Sequence, residues 1–243
     1  MKTPKGKTKM NLIHLLKTTL IGFILLLSFT NAIAQQDAMA LINAVNEKFK
    51  SVKDYTATVQ IKTDIPFVKM LPVNATVYFK QPDKIHMQSK GIAILPKQGP
   101  QFFMNDINSK NDIAIFVADE VIDGITTKGI KVFPIQDTAD LILATLYFEP
   151  NKLLLYRAQI TTKSRGTVNM SFKYGPYSNF QLPDVVTFEM DVNKFKIPKA
   201  VAADLENTTT KKDDGKKTKK GTVVITYKNY KINSGLSDAI FKK

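Results

Sequence analysis

Apolar and polar residues along this chain fall into two periods. Between Gln36 and Val52 the apolar positions Ala38, Leu41, Ile42, Val45, Phe49 and Val52 recur at helical spacing, with Asn43, Asn46, Glu47, Lys48 and Lys50 opposite them. That spacing predicts one amphipathic helix. After it the period changes to two. Tyr55, Ala57, Val59 and Ile61 face one way, and Thr56, Thr58, Gln60 and Lys62 face the other. The run Val77 to Ser89 continues the alternation, with Val77, Phe79, Ile85 and Met87 on the apolar side and Tyr78, Lys80, Lys84 and His86 on the polar side. Gln81-Pro82-Asp83-Lys84 reads as a type I turn, because proline presets φ at its second position and aspartate suits the third.

The same pattern runs to the end of the chain. Turns are predicted at Asp123-Gly124, at Glu149-Pro150-Asn151-Lys152, at Ser164-Arg165-Gly166 and in GPYSNFQLPD, before VVTFEMDVNKF and the final GTVVITYKNYKI. This makes about ten strands joined mostly by short turns. Connections that short force antiparallel neighbours, since parallel pairs need long crossovers. The fold class is therefore α+β, mostly β: an antiparallel meander with one N-terminal helix.

Three segments depart from the pattern. Asp64 to Pro72 places Phe67, Val68, Met70 and Leu71 where a hairpin tip is normally polar. Gly91 to Met104 places Ile92, Ile94, Leu95, Phe102, Phe103 and Met104 around two prolines. Loops run over surfaces, so apolar loops need a cover or a ligand. Either they plug the core of an ordinary domain, or they close over the concave face of a curled sheet that one helix cannot fill. The third segment, Ala200 to Gly221 (200–221), is rich in Lys, Thr and Asp and has no apolar period. It predicts a long, mobile hairpin loop.

The N-terminus changes the domain picture. Lys2, Lys5, Lys7, Lys9 and Lys17 precede the apolar run Thr19 to Phe29, and Ala32-Ile33-Ala34 supplies a small-x-small cleavage site. This predicts a signal peptide over 1–34, cleaved after Ala34, and an exported domain over 35–243 located in the periplasm. The apolar run of 11 residues falls short of the roughly 20 that span a bilayer. Without those five lysines the formal charge of +14 falls to +9. The basic run Lys211 to Lys220 has no interleaved aromatics, which speaks against nucleic acid as a partner.

Catalytic chemistry is sparse. Cysteine is absent, and of two histidines only His86 lies beyond the signal peptide. That excludes a disulfide, a thiolate nucleophile and lipid attachment through cysteine, and it leaves no cluster of His and Cys ligands for zinc. No glycine-rich phosphate loop is present. Neighbouring carboxylates such as Asp119 and Glu120 point to opposite faces of a strand, which suits no paired acid–base role. The sequence predicts no enzyme, no metal and no cofactor. An envelope hydrolase assembled from distant carboxylates is the reading of another class.

The chain resembles the LolA-like outer-membrane lipoprotein-sorting family. The resemblance is carried by the order of an export signal, an amphipathic helix, YTATVQIK, VYFKQPDKIHM, IDGITTKGIKVFPI, ATLYFEPNKLLLYRAQITTKSRG, QLPDVVTFEM and YKNYKINSGLSDAIF. It implies an unclosed antiparallel β-barrel, a half-barrel with lid elements over an apolar cavity. It further implies a periplasmic chaperone-like carrier that takes up the acyl chains of lipoproteins and moves them toward the outer membrane. Val59, Ile61, Val77, Phe79, Ile85 and Met87 would then line the cavity, and Ile94, Leu95, Phe102 and Phe103 would belong to the lid. Implied partners are acylated lipoproteins or lipid, an inner-membrane lipoprotein-release complex and an outer-membrane acceptor, with the carrier itself a monomer. In the family's carrier an Arg-Pro dipeptide latches the lid; here the matching dipeptide is Gln81-Pro82, which keeps the proline and lacks the charge. The alternative of the same fold is a lipid-binding envelope sensor or scaffold.

Overall fold

The computed structural model describes residues 38–66, 70–89, 112–135, 140–164, 166–191 and 220–242. Helix α1 covers residues 38–49. It is followed by ten strands: β1 (Asp54–Asp64), β2 (Val73–Lys80), β3 (Lys84–Ser89), β4 (Ile113–Ile122), β5 (Ile125–Phe133), β6 (Leu141–Glu149), β7 (Leu154–Thr162), β8 (Gly166–Lys173), β9 (Val185–Asp191) and β10 (Lys220–Ile232). All ten form one antiparallel sheet in the order β3-β2-β1-β10-β9-β8-β7-β6-β5-β4. The sheet is not closed, because β3 and β4 are its two free edges. The architecture is an unclosed β-barrel with one described α-helix.

Each connection follows its local chemistry. The β4–β5 loop is the predicted Asp123-Gly124 pair, and both residues have positive φ, at 50° and 79°. That matches the two-residue hairpin whose backbone suits strand twist. In the β6–β7 turn the Glu149 carboxylate accepts hydrogen bonds from the backbone N–H of Asn151 (3.1 Å) and Lys152 (2.7 Å). The β2–β3 turn differs from the type I expectation: its Gln81–Pro82 peptide is cis. The backbone N–H of Gln81 donates to Lys53 O at 2.8 Å, so the turn is tied to the chain entering β1.

The meander comes in two arms. Strands β1 to β3 form one, and β4 to β10 form the other. They join where the first strand pairs with the last, through Val59↔Tyr227 and Ile61↔Ile225. Residues 90–111 connect the two free edges of the sheet.

The inner face alternates as the sequence predicts. Tyr55, Ala57, Val59 and Ile61 of β1, and Ala75, Val77 and Phe79 of β2, are buried in one continuous cluster. That cluster runs through Val223 and Ile225 to Phe188, Met170, Ile160, Leu146 and Ile130. Helix α1 adds Ala38, Ile42 and Val45 to it.

The register also sorts the connections onto two ends. One end carries α1, the 81–83 turn, the 150–153 turn and the C-terminal residues after Ile232. The opposite rim is fixed by the pairs Asp64↔Thr222, Lys220↔Asp191, Leu141↔Thr162 and Ile113↔Phe133.

Candidate functional site

The helix end is where α1 meets both arms of the sheet. The Phe49 ring lies 5.8 Å from the Phe79 ring of β2, and Phe79 stacks on Tyr55 at 5.1 Å. Tyr55 in turn meets Tyr230 edge-on at 5.4 Å, and Tyr230 stacks on Tyr227 at 5.7 Å. This aromatic row leads from the helix across β2 and β1 into β10. On the other arm, Lys48 Nζ donates to Lys152 O in the β6–β7 turn at 2.6 Å. Helix α1 thus bridges elements that are distant in the sheet order, across the face that carries the apolar cluster.

Burial controls the chemistry of the row. Desolvation disfavours a phenolate, so the Tyr227 hydroxyl is pushed up to about 12 and that of Tyr230 is raised too. The Tyr230 hydroxyl donates to Pro183 O at 2.8 Å, which satisfies it where no water reaches. Tyr230 thus acts as a neutral apolar body with a tethered polar tip.

A carboxylate closes this end. Asp54, 4% exposed, accepts from the backbone N–H of Ser234 (2.8 Å), Gly235 (3.1 Å) and Leu236 (3.4 Å) and from Ser234 Oγ (3.2 Å). Lys80 and Lys84 both pair with Asp238, at 2.8 and 3.0 Å. The C-terminal segment is strapped over the β2–β3 hairpin by these contacts. Sequence reasoning missed Asp54, because a single aspartate at a strand start carries no pattern.

The six residues expected to line a cavity come together on the inner face. Val59, Ile61, Val77 and Phe79 are buried, and Ile85 and Met87 are partly buried against the same cluster. In this conformation they pack on neighbours. Among the described residues a groove of ≈ 620 Å³ lies across β10, β1, β2 and β3, lined by Thr58, Gln60, Asn74, Thr76, Gln88 and Lys228 among others. That groove is open and mixes polar side chains with Val59 and Ala75, whereas the inner face carries a continuous apolar cluster.

Gln81 points at the helix: its Nε2 lies 3.5 Å from Phe49 O, at the limit of a hydrogen bond. Pro82 follows it in the turn. Ile94, Leu95, Phe102 and Phe103, assigned to the lid, lie outside the described residues, as does most of the Lys-rich loop. His86 stands beside its cross-strand partner Tyr78, with ring centroids 5.9 Å apart. Asp119 and Glu120 form separate ion pairs, with Lys128 at 2.7 Å and with Arg157 at 2.5 Å. Among the described residues no three His, Cys, Asp or Glu side chains are grouped to hold a metal ion. Among them, too, no helix is long and apolar enough to cross a membrane.

No protein-family model matches the chain, and no curated protein matches it. Solved structures do. A DUF1329 family protein from Desulfovibrio piger superposes with a TM-score of 0.54 at 11% identity, over 86% of this chain and 97% of that one. A LolA superfamily protein from Nitrosomonas europaea gives 0.53 at 13% identity, over 85% and 97%. A domain described as an outer membrane lipoprotein-sorting protein, from Vibrio parahaemolyticus, gives 0.52 at 7% identity, over 86% and 97%. Each covers nearly the whole of its own chain, so the match is to a complete domain. With its ten-stranded unclosed sheet and bridging helix, this chain has the LolA-like fold.

Proposed function

We propose that this protein is a non-enzymatic periplasmic carrier that binds the acyl chains of lipoproteins and moves them toward the outer membrane. The observation that carries the reading is the continuous apolar inner face of an unclosed sheet, bridged at one end by a helix held through few polar contacts. An acyl chain entering there would replace packing between the helix and Val59, Ile61, Val77, Phe79, Ile85 and Met87. Its burial supplies about 0.8 kcal/mol per methylene, enough over a long chain to displace such packing.

Gln81 and Pro82 fit the latch position in this reading. The Gln81 amide reaches the helix backbone at Phe49 without a charge, so it holds the closed form more weakly than a charged donor would. Ile94, Leu95, Phe102 and Phe103 would complete the cover. Residues 1–34 serve as the export signal and 35–243 as the lipid-binding domain. Acylated lipoproteins, an inner-membrane release complex and an outer-membrane acceptor are the partners of such a carrier.

Native mass spectrometry of protein purified from its own cell envelope tests this. A co-purified triacylated or diacylated polypeptide is the expected result. A free lipid bound without polypeptide would instead assign the protein to lipid sensing or scaffolding.

A further inference from the structure

The polar side chains of the groove across β10, β1, β2 and β3 stand on the far face of the sheet from the apolar cluster. Thr58 and Gln60 of β1 alternate with Val59 and Ile61, and Asn74 and Thr76 of β2 alternate with Ala75 and Val77, which are buried in the cluster. A β-bulge shapes the groove's wall. Between the pairs Thr56↔Lys231 and Thr58↔Lys228, β10 holds one residue more than β1, and Asn229 takes a positive φ of 55°. Such a bulge bends its strand and re-aims side chains. Thr58 Oγ1 fastens it, donating to Lys228 O at 3.1 Å and accepting from Asn229 Nδ2 at 3.2 Å.

Elsewhere on this face, cross-strand amides satisfy one another: Gln159 of β7 bonds to its partner Asn169 of β8 at 2.9 Å. In the groove Gln60 stands directly opposite Asn74, yet among the described residues neither carboxamide has a hydrogen-bond partner. Lys228 is likewise without an ion pair among them, and the groove's lining holds no carboxylate. One ring pair flanks this set. Tyr78 and His86 lie two residues along the same strands from Thr76 and Gln88, with centroids 5.9 Å apart, and the Tyr78 hydroxyl approaches Gln88 Oε1 at 3.4 Å.

We propose that this groove binds a sugar chain that carries carboxylates. Each carboxamide sets donors beside an acceptor, which matches the neighbouring hydroxyls or the acetamido group of a sugar ring. Lys228 supplies the cation for a carboxylate, and Tyr78 offers an aromatic body with a polar tip at the groove's side. Other ligand classes fit less well. A peptide that joins a sheet pairs with the backbone of a free edge, but β1, β2 and β10 are each paired on both sides. A lipid needs apolar contact, and Val59 and Ala75 are only 3% and 8% exposed. A nucleic acid needs several cations along its phosphates, and the groove's lining has one. The inference is independent of what the inner face carries.

Isothermal titration calorimetry of the purified protein tests it. Tetragalacturonate and a tetrasaccharide of alternating N-acetylglucosamine and N-acetylmuramic acid serve as the acidic sugars, chitotetraose as a neutral one, and tetraglutamate as a charged chain without hydroxyls. Expected is binding of an acidic sugar, the tighter of the two naming the source as a uronate polymer or a muramyl glycan. Chitotetraose should bind more weakly and tetraglutamate not at all. Gln60→Ala/Asn74→Ala should lower the affinity for the acidic sugar about tenfold. Lys228→Gln should bring that affinity down to the level of chitotetraose. All three side chains are exposed, so circular dichroism should be unchanged. Binding of neither acidic sugar, equal binding of tetraglutamate, or full affinity in Gln60→Ala/Asn74→Ala overturns the proposal.

Discussion

Removing the Phe79 ring should cost this protein about 3–5 kcal/mol of stability, the range for a fully buried phenylalanine cut to alanine. Phe79 is 0% exposed. Its ring meets Phe49 of α1 at 5.8 Å and Tyr55 of β1 at 5.1 Å. Two aromatic contacts of this kind carry about 0.5–1.5 kcal/mol each beyond area burial, so Phe79→Ala belongs near the upper end of the range. The loss should also be local. Helix α1 is held to this arm chiefly by that packing, since the Gln81 contact to Phe49 O is long at 3.5 Å. Urea unfolding followed by circular dichroism measures the global loss, and hydrogen exchange at residues 42–50 measures release of the helix. A deficit below about 1 kcal/mol would refute the packing argument, because such a value belongs to a tolerated volume-conserving swap.

The same variant probes the carrier reading. The space left by the ring holds two or three methylenes, so an acyl ligand lying against Phe79 should recover about 2 kcal/mol of the deficit. Stabilisation of wild type and Phe79→Ala by the same amount would place the ligand elsewhere.

Asp54→Ala leaves three backbone N–H groups and the Ser234 hydroxyl without their acceptor, and should cost about 2–3 kcal/mol, read from the shift in the urea midpoint. Gly129→Ala should cost about 1–3 kcal/mol: a methyl there would sit 2.7 Å from both Ala118 O and Val117 Cγ2, and the carbonyl belongs to the backbone of the β4 bulge. Gln81→Arg places a cation at the C-terminal end of α1 and should stabilise the protein by about 0.3–1 kcal/mol while slowing exchange at the end of that helix. Lys80 and Lys84 hold the Asp238 carboxyl down at about 2. Because its folded value is depressed, the pairing contributes above the ordinary carboxylate range and is lost as pH falls through about 2. Carboxyl NMR should show that midpoint, and Lys80→Gln/Lys84→Gln should return it to the ordinary range.

How far the sequence alone reaches depends on the range of each interaction. Period-two alternation placed Val59, Ile61, Val77 and Phe79 on one buried face, because a strand's side chains alternate whatever it pairs with. Asp123-Gly124 specified its hairpin because the turn needs two positive φ values at adjacent positions. The helix was legible for the same local reason. What alternation does not encode is the partner of a strand. The β1–β10 pair joins residues some 170 positions apart, as Thr58 and Lys228 show, and it divides the meander into two arms with β3 and β4 as edges. The side chain of Gln81 likewise meets the end of α1 through a contact between distant segments, and the resemblance gave only its position beside Pro82. Asp54 was silent because its four donors come from a turn at the other end of the chain.

The bulge in β4 shows the limit most sharply. Alternation predicts that Asp119 and Glu120 face apart, and they do take separate partners, Lys128 and Arg157. Yet the pairing jumps from Val117↔Gly129 to Glu120↔Thr127, so one extra residue has entered the strand. The extra residue is tolerated because Gly129 has no side chain where Ala118 O, Val117 and the Tyr147 ring converge. Arg157 then lies over that ring at 5.4 Å while holding Glu120. A glycine in a strand signals such a close approach in general. Which backbone approaches it is decided only when the neighbouring strands have chosen their register, and here that choice fixes where the surface charges of β4 can find their partners.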